Sequence, residues 1–331
     1  MATLSLAEAE ALVTRALMRS RTSEENALSV ARALVAAEAD GLAGHGLSRV
    51  PSYAAQAKVG KVDGFASPSL ERRRPGVLAI DAAHGFAYPA LDMAVAALPA
   101  AAREAGIAAA AIRRSHHCGA AGHPVERLAE AGLVALMFAN TPAAIAPWGG
   151  ARPMFGTNPV AFACPLPERE PIVIDLSVSK VARGNILAAR QRGERIPEGW
   201  ALDAEGRPTT DPAAALQGTM LPLGDAKGAA LALMVELLAA GLTGANFAAE
   251  ASSFLDAEGP PPATGQLLLA FDPAAFGADQ PARFAALAQA IETQPGARLP
   301  GARRLANRRK AQAGLRIASA LLAEIEAISM S

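Results

Sequence analysis

Apolar positions repeat with helical spacing at both ends of the chain and gather into short runs in its middle. Leu4 to Met18 carries a period of about 3.6 residues. Glu24 to Ala39 carries another, with Ala27, Val30, Leu34 and Val35 on one face. Between them, Thr22-Ser23-Glu24-Glu25 reads as a capping box, with Thr22 as the cap and Glu25 reaching back. Asp40-Gly41 ends the second helix. The pattern then predicts a strand over Gly76–Asp81 with a hairpin tip at Ala82–Gly85. An alanine-rich helix follows over Ala90–Ala105, stopped by Gly106, and then a buried strand over Ile107–Ile112. Val125–Ala131 reads as helix, Leu133–Phe138 and Pro171–Leu176 as strands, and Lys180–Arg192 as helix. Gly193–Gly218, with Pro197, Pro208 and Pro212, reads as an ordered surface excursion. Leu223–Gly228 opens a strongly apolar helix running to Leu242. After the rigid turn Gly259–Pro262 come a strand over Gln266–Asp272, a helix over Pro281–Thr293, a basic turn over Leu299–Arg304 and a last helix over Ala318–Ile328. This is an α/β chain without internal repeats, long for one domain and comfortable for two at 331 residues.

Composition narrows the setting. Hydrophobic residues make up 51% and aromatics only 4%, so a large core is available and it is aliphatic. Lys+Arg and Asp+Glu are equal at 31 each. A balanced chain has no broad positive field, which argues against nucleic acid or an anionic membrane as partner. Cys118 and Cys164 form no disulfide framework and suit a reducing compartment. The amino-terminal residues lack a basic region followed by an apolar core. The longest apolar run, Gly228–Leu242, is interrupted by Glu236 and falls short of the ~20 residues a membrane span needs. A soluble, cytoplasmic protein is the expectation.

Reactive side chains concentrate between Arg113 and Ile186, which holds three of the five histidines, both cysteines and one of the two tryptophans. Polar, glycine-rich turns alternate there with apolar runs, as in loops mounted on a sheet. His116-His117-Cys118 with His123 fits no zinc-ligand spacing, and adjacent histidines on an extended segment point to opposite faces, so no metal is expected. Cys118 is not expected to be a nucleophile, since a catalytic cysteine needs a paired base and an electropositive setting, and a small residue in a tight turn explains it as well. His45 lies between Gly44 and Gly46, with Arg49 four residues on. A helix beginning at Leu47 would put both side chains on one side, whereas Pro51 argues for a later start. Taken alone, the pair reads first as a helix-capping histidine and a solvated arginine, and second as an acid. No Gly-x-Gly-x-x-Gly fingerprint follows a strand and no phosphate loop is present, so a Rossmann domain is not expected. Lys227 at a helix start, with the free N–H groups there, and the basic turn at Arg298, Arg303 and Arg304 can hold phosphate.

Several segments taken together carry a resemblance: Asp40–Tyr53, G-T-N-P at Gly156–Pro159, P-I-V-I-D-L-S at Pro171–Ser177, D-A-K-G at Asp225–Gly228 and R-L-P-G-A-R-R at Arg298–Arg304. In this order they resemble the malate/L-lactate dehydrogenase-like family of NAD(P)-dependent oxidoreductases, almost end to end. That family includes malate, sulfolactate, ureidoglycolate and diketogulonate enzymes and the Δ1-piperideine-2-carboxylate/Δ1-pyrroline-2-carboxylate reductases. I-A-P-W-G-G and S-K-V-A-R-G are most similar to its sulfolactate-type members. The resemblance implies a non-Rossmann fold with a largely antiparallel central sheet. It implies a nucleotide-binding sheet domain over residues 76–304, a helical substrate and dimer domain from residues 1–75 with 305–331, and a homodimer.

Carried over by position, the resemblance makes His45 the proton donor, with an unperturbed pKa near 6.5. It makes Arg49 the clamp on a substrate carboxylate, and Thr157, Arg183 and Gly184 further substrate contacts. The cofactor, NADP or NAD with NADP favoured by the basic turn, would meet four stretches: His116, His117, Cys118, Gly119 and Ala120; Asp175, Leu176 and Ser177; Ala226 and Lys227; and Arg298, Arg303 and Arg304. The implied reaction interconverts a small anionic 2-oxo acid and its 2-hydroxy acid. Alternatives are a cyclic ketimine reductase using the same His45 and Arg49, or a nucleotide-binding protein with weak catalysis. Two positions depart from the family pattern. Gly44 stands where many members have Ser, and Asn185 where the imine reductases have Asp and other members often have Lys. Asn185 can hydrogen-bond but cannot take up a proton, which weighs against the imine reading.

Overall fold

The computed structural model describes residues 2–331. The chain opens with β1 (Ala2–Leu4), α1 (Leu6–Met18) and α2 (Glu24–Ala39), passes two short helical turns, Ala43–His45 and Leu47–Arg49, and enters α3 (Val50–Val59). Then follow β2 (Ser69–Arg74), β3 (Val77–Asp81), α4 (Ala87–Ala105), β4 (Ile107–Ser115), α5 (Gly122–Glu130), β5 (Val134–Ala139), β6 (Val160–Leu166) and β7 (Arg169–Leu176). α6 (Arg183–Arg192) leads into a small sheet of β8 (Ala201–Leu202), β9 (Pro208–Thr209) and β10 (Thr219–Met220), with α7 (Pro212–Gln217) beside it. After α8 (Ala226–Glu236) come β11 (Thr264–Phe271), α9 (Gln280–Glu292), α10 (Ala302–Ala311), β12 (Leu315–Ile317) and α11 (Ser319–Met330).

The seven-stranded sheet runs β2-β3-β4-β11-β5-β6-β7. Only β3 and β4 pair in parallel, joined by α4; every other neighbouring pair is antiparallel. The expected non-Rossmann, largely antiparallel plan is therefore what the chain adopts. Alternation along the strands decides which layer each side chain enters. Ala108, Ala110 and Ile112 of β4 and Leu268 of β11 pack with α4 and α5, while Ala109, Ala111 and Leu267 face Val235 and Ala239 of the helix opposite. Small side chains at these positions bring helices close to the sheet, which explains a core built largely from alanine. A second core joins both ends of the chain: α1, α2 and α3 pack with Leu315, Ile317 and Ile325. β1 pairs with β12, register Ala2 to Ile317.

Several local expectations shift. The capping box lies at Ser5 and Glu8 of α1, whereas α2 is capped by Ser23, whose hydroxyl accepts the Asn26 N–H. Thr22 points inward and its hydroxyl has no partner. Pro51 sits in the first turn of α3, so the helix does start late. The apolar helix expected to reach Leu242 is regular only to Glu236 and widens into a π turn over Leu237–Gly241. β2 carries no apolar alternation, because it is an edge strand exposed along its whole length. Arg303 and Arg304, expected in a turn, form the first turn of α10. No helix among the described residues is long and apolar enough to cross a membrane.

One polar cluster fastens the helical ends to the sheet. Asp40 caps the end of α2, and its side chain is fully buried. Its carboxylate accepts from Arg308 Nε at 2.8 Å and Nη2 at 2.9 Å, and from His123 Nε2 at 2.9 Å. Glu126 of α5 accepts from Arg304 at 2.6 and 2.7 Å and from Arg308 at 2.9 Å. Burial alone would raise both carboxyls. The hydrogen bonds and charge of His123 and Arg308 on Asp40, and of Arg304 and Arg308 on Glu126, outweigh it, so both titrate below their ordinary range. Depressed carboxyl values give stability that is complete above about pH 4 and fades as acid protonates the native state. Asp40→Asn is expected to cost about 3 kcal/mol at pH 7, since it leaves buried arginine short of its counter-charge. Urea unfolding should show that gap narrowing toward about pH 3; a gap flat across that range would refute the assignment.

Candidate active site

The turn after Asp40 is built to hold two side chains. Glu38 of α2 accepts the Leu47 N–H on Oε2 at 2.9 Å, and its carboxylate lies directly against Gly46, where any Cβ would collide with it. Gly46 is thus glycine for closeness of approach. Ser48 Oγ donates to Ala43 O at 2.6 Å. Arg49 Nε donates to Gly44 O at 2.7 Å, so the guanidinium is tied to the residue immediately before His45 with Nη1 and Nη2 left over. His45 is half-buried, and its ring stacks on His117 with centroids 5.4 Å apart. Burial first, then the charge of Arg49, pushes the His45 imidazole down to about 4. The expectation of an ordinary histidine value does not hold, because a positive neighbour and a drier setting both favour the neutral ring.

β4 ends beside this turn and delivers His116, His117 and Cys118. All three are buried. Tyr53 Oη of α3 lies 2.6 Å from His117 Nδ1 and 3.2 Å from Tyr88 Oη of α4. Burial keeps Tyr53 protonated, pushed up to about 12, and holds His117 well below its usual value. A run in which Tyr88 donates to Tyr53, and Tyr53 to His117 Nδ1, satisfies each group and leaves the His117 proton on Nε2. His116 Nε2 meets Gln56 Oε1 at 2.9 Å, and Gln56 Nε2 donates to Phe254 O at 2.9 Å. Burial pushes the Cys118 thiol up to about 12, so it is a neutral packing group rather than a nucleophile. Among the described residues no cluster of three or more His, Cys, Asp or Glu side chains is arranged to hold a metal ion.

The remaining predicted residues fall into groups. Thr157 donates its N–H to Thr141 Oγ1 at 2.9 Å, and a Cβ at Gly156 would collide with Thr141. Next to it Asn158 donates to buried Glu236 at 2.8 Å, so the G-T-N-P motif is a packed corner holding Thr157. Arg183 opens α6 with its Nε buried and without a partner, and Gly184 beside it is exposed. Gly119 turns with φ 68°, and Ala120 is buried after it. Asp175 Oδ2 accepts the Gly122 N–H at 2.8 Å; Leu176 is exposed, and Ser177 Oγ lies 2.9 Å from Ser179 Oγ. Ala226 and Lys227 are exposed in the first turn of α8. Arg298 and Arg303 are exposed. Arg298 lines a cavity of about 360 Å³ together with Ile172, Leu299 and Pro300. Arg304 is committed to Glu126 and Asp40 and is not free for a phosphate. Sequence reasoning missed Glu38, Gln56, Tyr88 and Phe254 as parts of this centre. The signal available was scarcity, since the chain has only two tyrosines and they meet each other, Tyr53 also reaching His117.

A model of the malate/L-lactate dehydrogenase family matches residues 4–326. The chain belongs to that family. It is an NAD(P)-dependent dehydrogenase/reductase. It is 54% identical over 328 residues to the (2R)-3-sulfolactate dehydrogenase (NADP(+)) of Chromohalobacter salexigens, covering 99% of this chain and 98% of that one. It is 44% identical over 334 residues to the Δ1-pyrroline-2-carboxylate reductase of Ancylobacter novellus, covering 98% and 97%. The crystal structure of the Δ1-piperideine-2-carboxylate reductase of Pseudomonas syringae superposes with a TM-score of 0.94 at 40% identity, over 99% of this chain and 100% of that one. The donor set suits a nicotinamide dinucleotide: the exposed Lys227 in the first turn of α8 at one place, and the exposed Arg298 beside a cavity at another, are cations that can each receive phosphate.

Nothing lies within 4 Å of a Cβ placed at Gly44, and its φ is not positive. Gly44→Ser should therefore fold as well as the parent, within about 0.5 kcal/mol. A drop of several degrees in melting temperature would show that this turn cannot take the serine common in the family.

Proposed function

We propose that the protein is an NADP-preferring dehydrogenase of a small 2-hydroxy acid carrying a second anionic group, of the sulfolactate or malate kind. The observation that carries this reading is the pairing of His45 and Arg49 on one braced turn, through the hydrogen bond from Arg49 Nε to Gly44 O. The free Nη edge of Arg49 receives the substrate carboxylate. The neutral His45 accepts the hydroxyl proton during oxidation. In the reducing direction the substrate carboxylate offsets the Arg49 charge, so His45 takes up a proton and returns it to the carbonyl oxygen. The bound nicotinamide supplies or accepts the hydride. Arg183, with its buried Nε unpaired, receives the second anionic group. The sulfolactate dehydrogenase similarity supports that choice. A cyclic ketimine reductase is the second reading, favoured by relatives such as that of Ancylobacter novellus. A cyclic imine with one carboxylate would leave Arg183 unmatched. We also infer a homodimer, because Leu231, Leu233, Leu237, Leu242 and Phe247 leave a broad apolar face on and after α8.

The deciding assay follows oxidation of NADPH and NADH with sulfopyruvate, oxaloacetate, pyruvate, Δ1-pyrroline-2-carboxylate and Δ1-piperideine-2-carboxylate. Sulfopyruvate or oxaloacetate should turn over best. Turnover of the cyclic imines alone would replace this reading with the second. His45→Ala should lower kcat by at least about 100-fold while cofactor binding survives, and a loss under about tenfold would remove His45 as the proton carrier.

Arg303→Ala should shift the NADPH/NADH preference toward NADH, because Arg303 is exposed and has no ion pair among the described residues, whereas Arg304 is occupied. An unchanged ratio would leave Arg298 as the remaining candidate for the 2′-phosphate.

A further inference from the structure

We propose that Lys61 is a positioning residue that locks the Ser253–Glu258 loop over the His116–His117 pair. The proposal rests on reading the His45 neighbourhood as the reaction centre. Lys61 follows Gly60, the left-handed cap of α3, and its side chain is 1% exposed. Its Nζ lies 2.5 Å from Glu258 O, 2.7 Å from Ser253 O and 3.1 Å from Asp256 O, with Asp256 Oδ1 at 3.3 Å. Three carbonyl dipoles aimed at one buried point repel each other unless a multiple donor stands among them. Lysine carries three N–H groups on one atom and meets that demand. The loop has no helix or strand of its own, so its shape depends on this cluster.

The loop has one evident task. Leu255 points outward, but Phe254 is buried and packs its ring 5.1 Å from His116 and 5.2 Å from His117. The backbone of Phe254 is also held, by Gln56, which touches His116 through its other end. α3 therefore grips the histidine pair at three points: Tyr53 on His117, Gln56 on His116, and Lys61 at its end through the loop and Phe254. With the cluster broken, Phe254 is free to leave and water gains a path to the stacked His45 and His117 rings.

The test is kinetic. Lys61→Met keeps the apolar stem and removes every donor. Its kcat/KM should fall about tenfold, chiefly through a higher substrate KM, with the far-UV spectrum unchanged. Phe254→Ala should give the same pattern, and the double variant should be no worse than either alone, since both act through one contact. In Lys61→Ala, added n-propylammonium should restore KM by refilling the carbonyl cluster. Parent-like KM and kcat in folded Lys61→Met overturn the proposal, as do additive losses in the double variant. If Lys61→Met does not fold, Lys61→Ala is prepared with n-propylammonium and assayed as the amine is withdrawn. Activity lost while the fold persists supports the positioning role, and loss of both together assigns Lys61 to folding alone. Full activity in His45→Ala is a separate failure, of the reaction-centre reading itself.

Discussion

The placing of the His45–Arg49 turn against β4 depends on a buried exchange of charge between two carboxylates and two guanidinium groups. Asp40 lies at the end of α2, Glu126 on α5, and Arg304 and Arg308 one turn apart on α10. Moving such charges out of water is costly, and the arrangement is tolerable because each oxygen meets a donor at good distance. The return is geometric. A helix from the start of the chain, one from its middle and one from near its end are fixed about one point. The turn carrying His45 and Arg49 begins at the next residue, and Asn307 also holds the Asp40 carbonyl. The turn proposed to be catalytic thereby inherits its position relative to β4 from a contact outside the His45–Arg49 pair.

The same cluster shows where reading residues in order succeeds and where it stops. Helices α1, α2 and α4, strands β4, β5 and β11 and the absence of a Rossmann fingerprint were legible, because each is a local pattern, whereas β6 and α10 were not read. The edge strand β2 was not, since a strand exposed on both faces carries no alternation. β1 and β12 were not, since each is three residues long and exists only by pairing with the other. At the site, His45 and Arg49 were visible as a motif. Arg304 looked like one more phosphate ligand in a basic run, and only the fold shows its charge already spent on Glu126 and Asp40. Glu38, Gln56 and Phe254 are ordinary residues in sequence, and what distinguishes them is a neighbour far along the chain.

The site is also drier than a histidine-rich turn suggests. His116 is pushed down to about 3 by burial and by the charges of Lys61 and Arg49, and His45 to about 4. Three neutral imidazoles beside a positive arginine make a pocket that waits for negative charge. Under the proposed assignment, an anionic substrate is recognised twice, by the guanidinium that pairs with it and by the ring that its arrival makes more basic. In that proposal, specificity for anions and readiness for proton transfer come from one electrostatic arrangement.

The pairing of Ala2–Leu4 with Leu315–Ile317 has a consequence for biosynthesis. A ribosome releases α1, α2 and α3 long before their partners near the other end exist. The β2–β11 sheet can close while those helices still lack Leu315, Ile317 and Ile325, and the Asp40 carboxylate has no guanidinium until α10 emerges. The contacts that fix the His45–Arg49 turn therefore wait for residues near the other end of the sequence, which ties this turn to the whole chain rather than to its own neighbourhood.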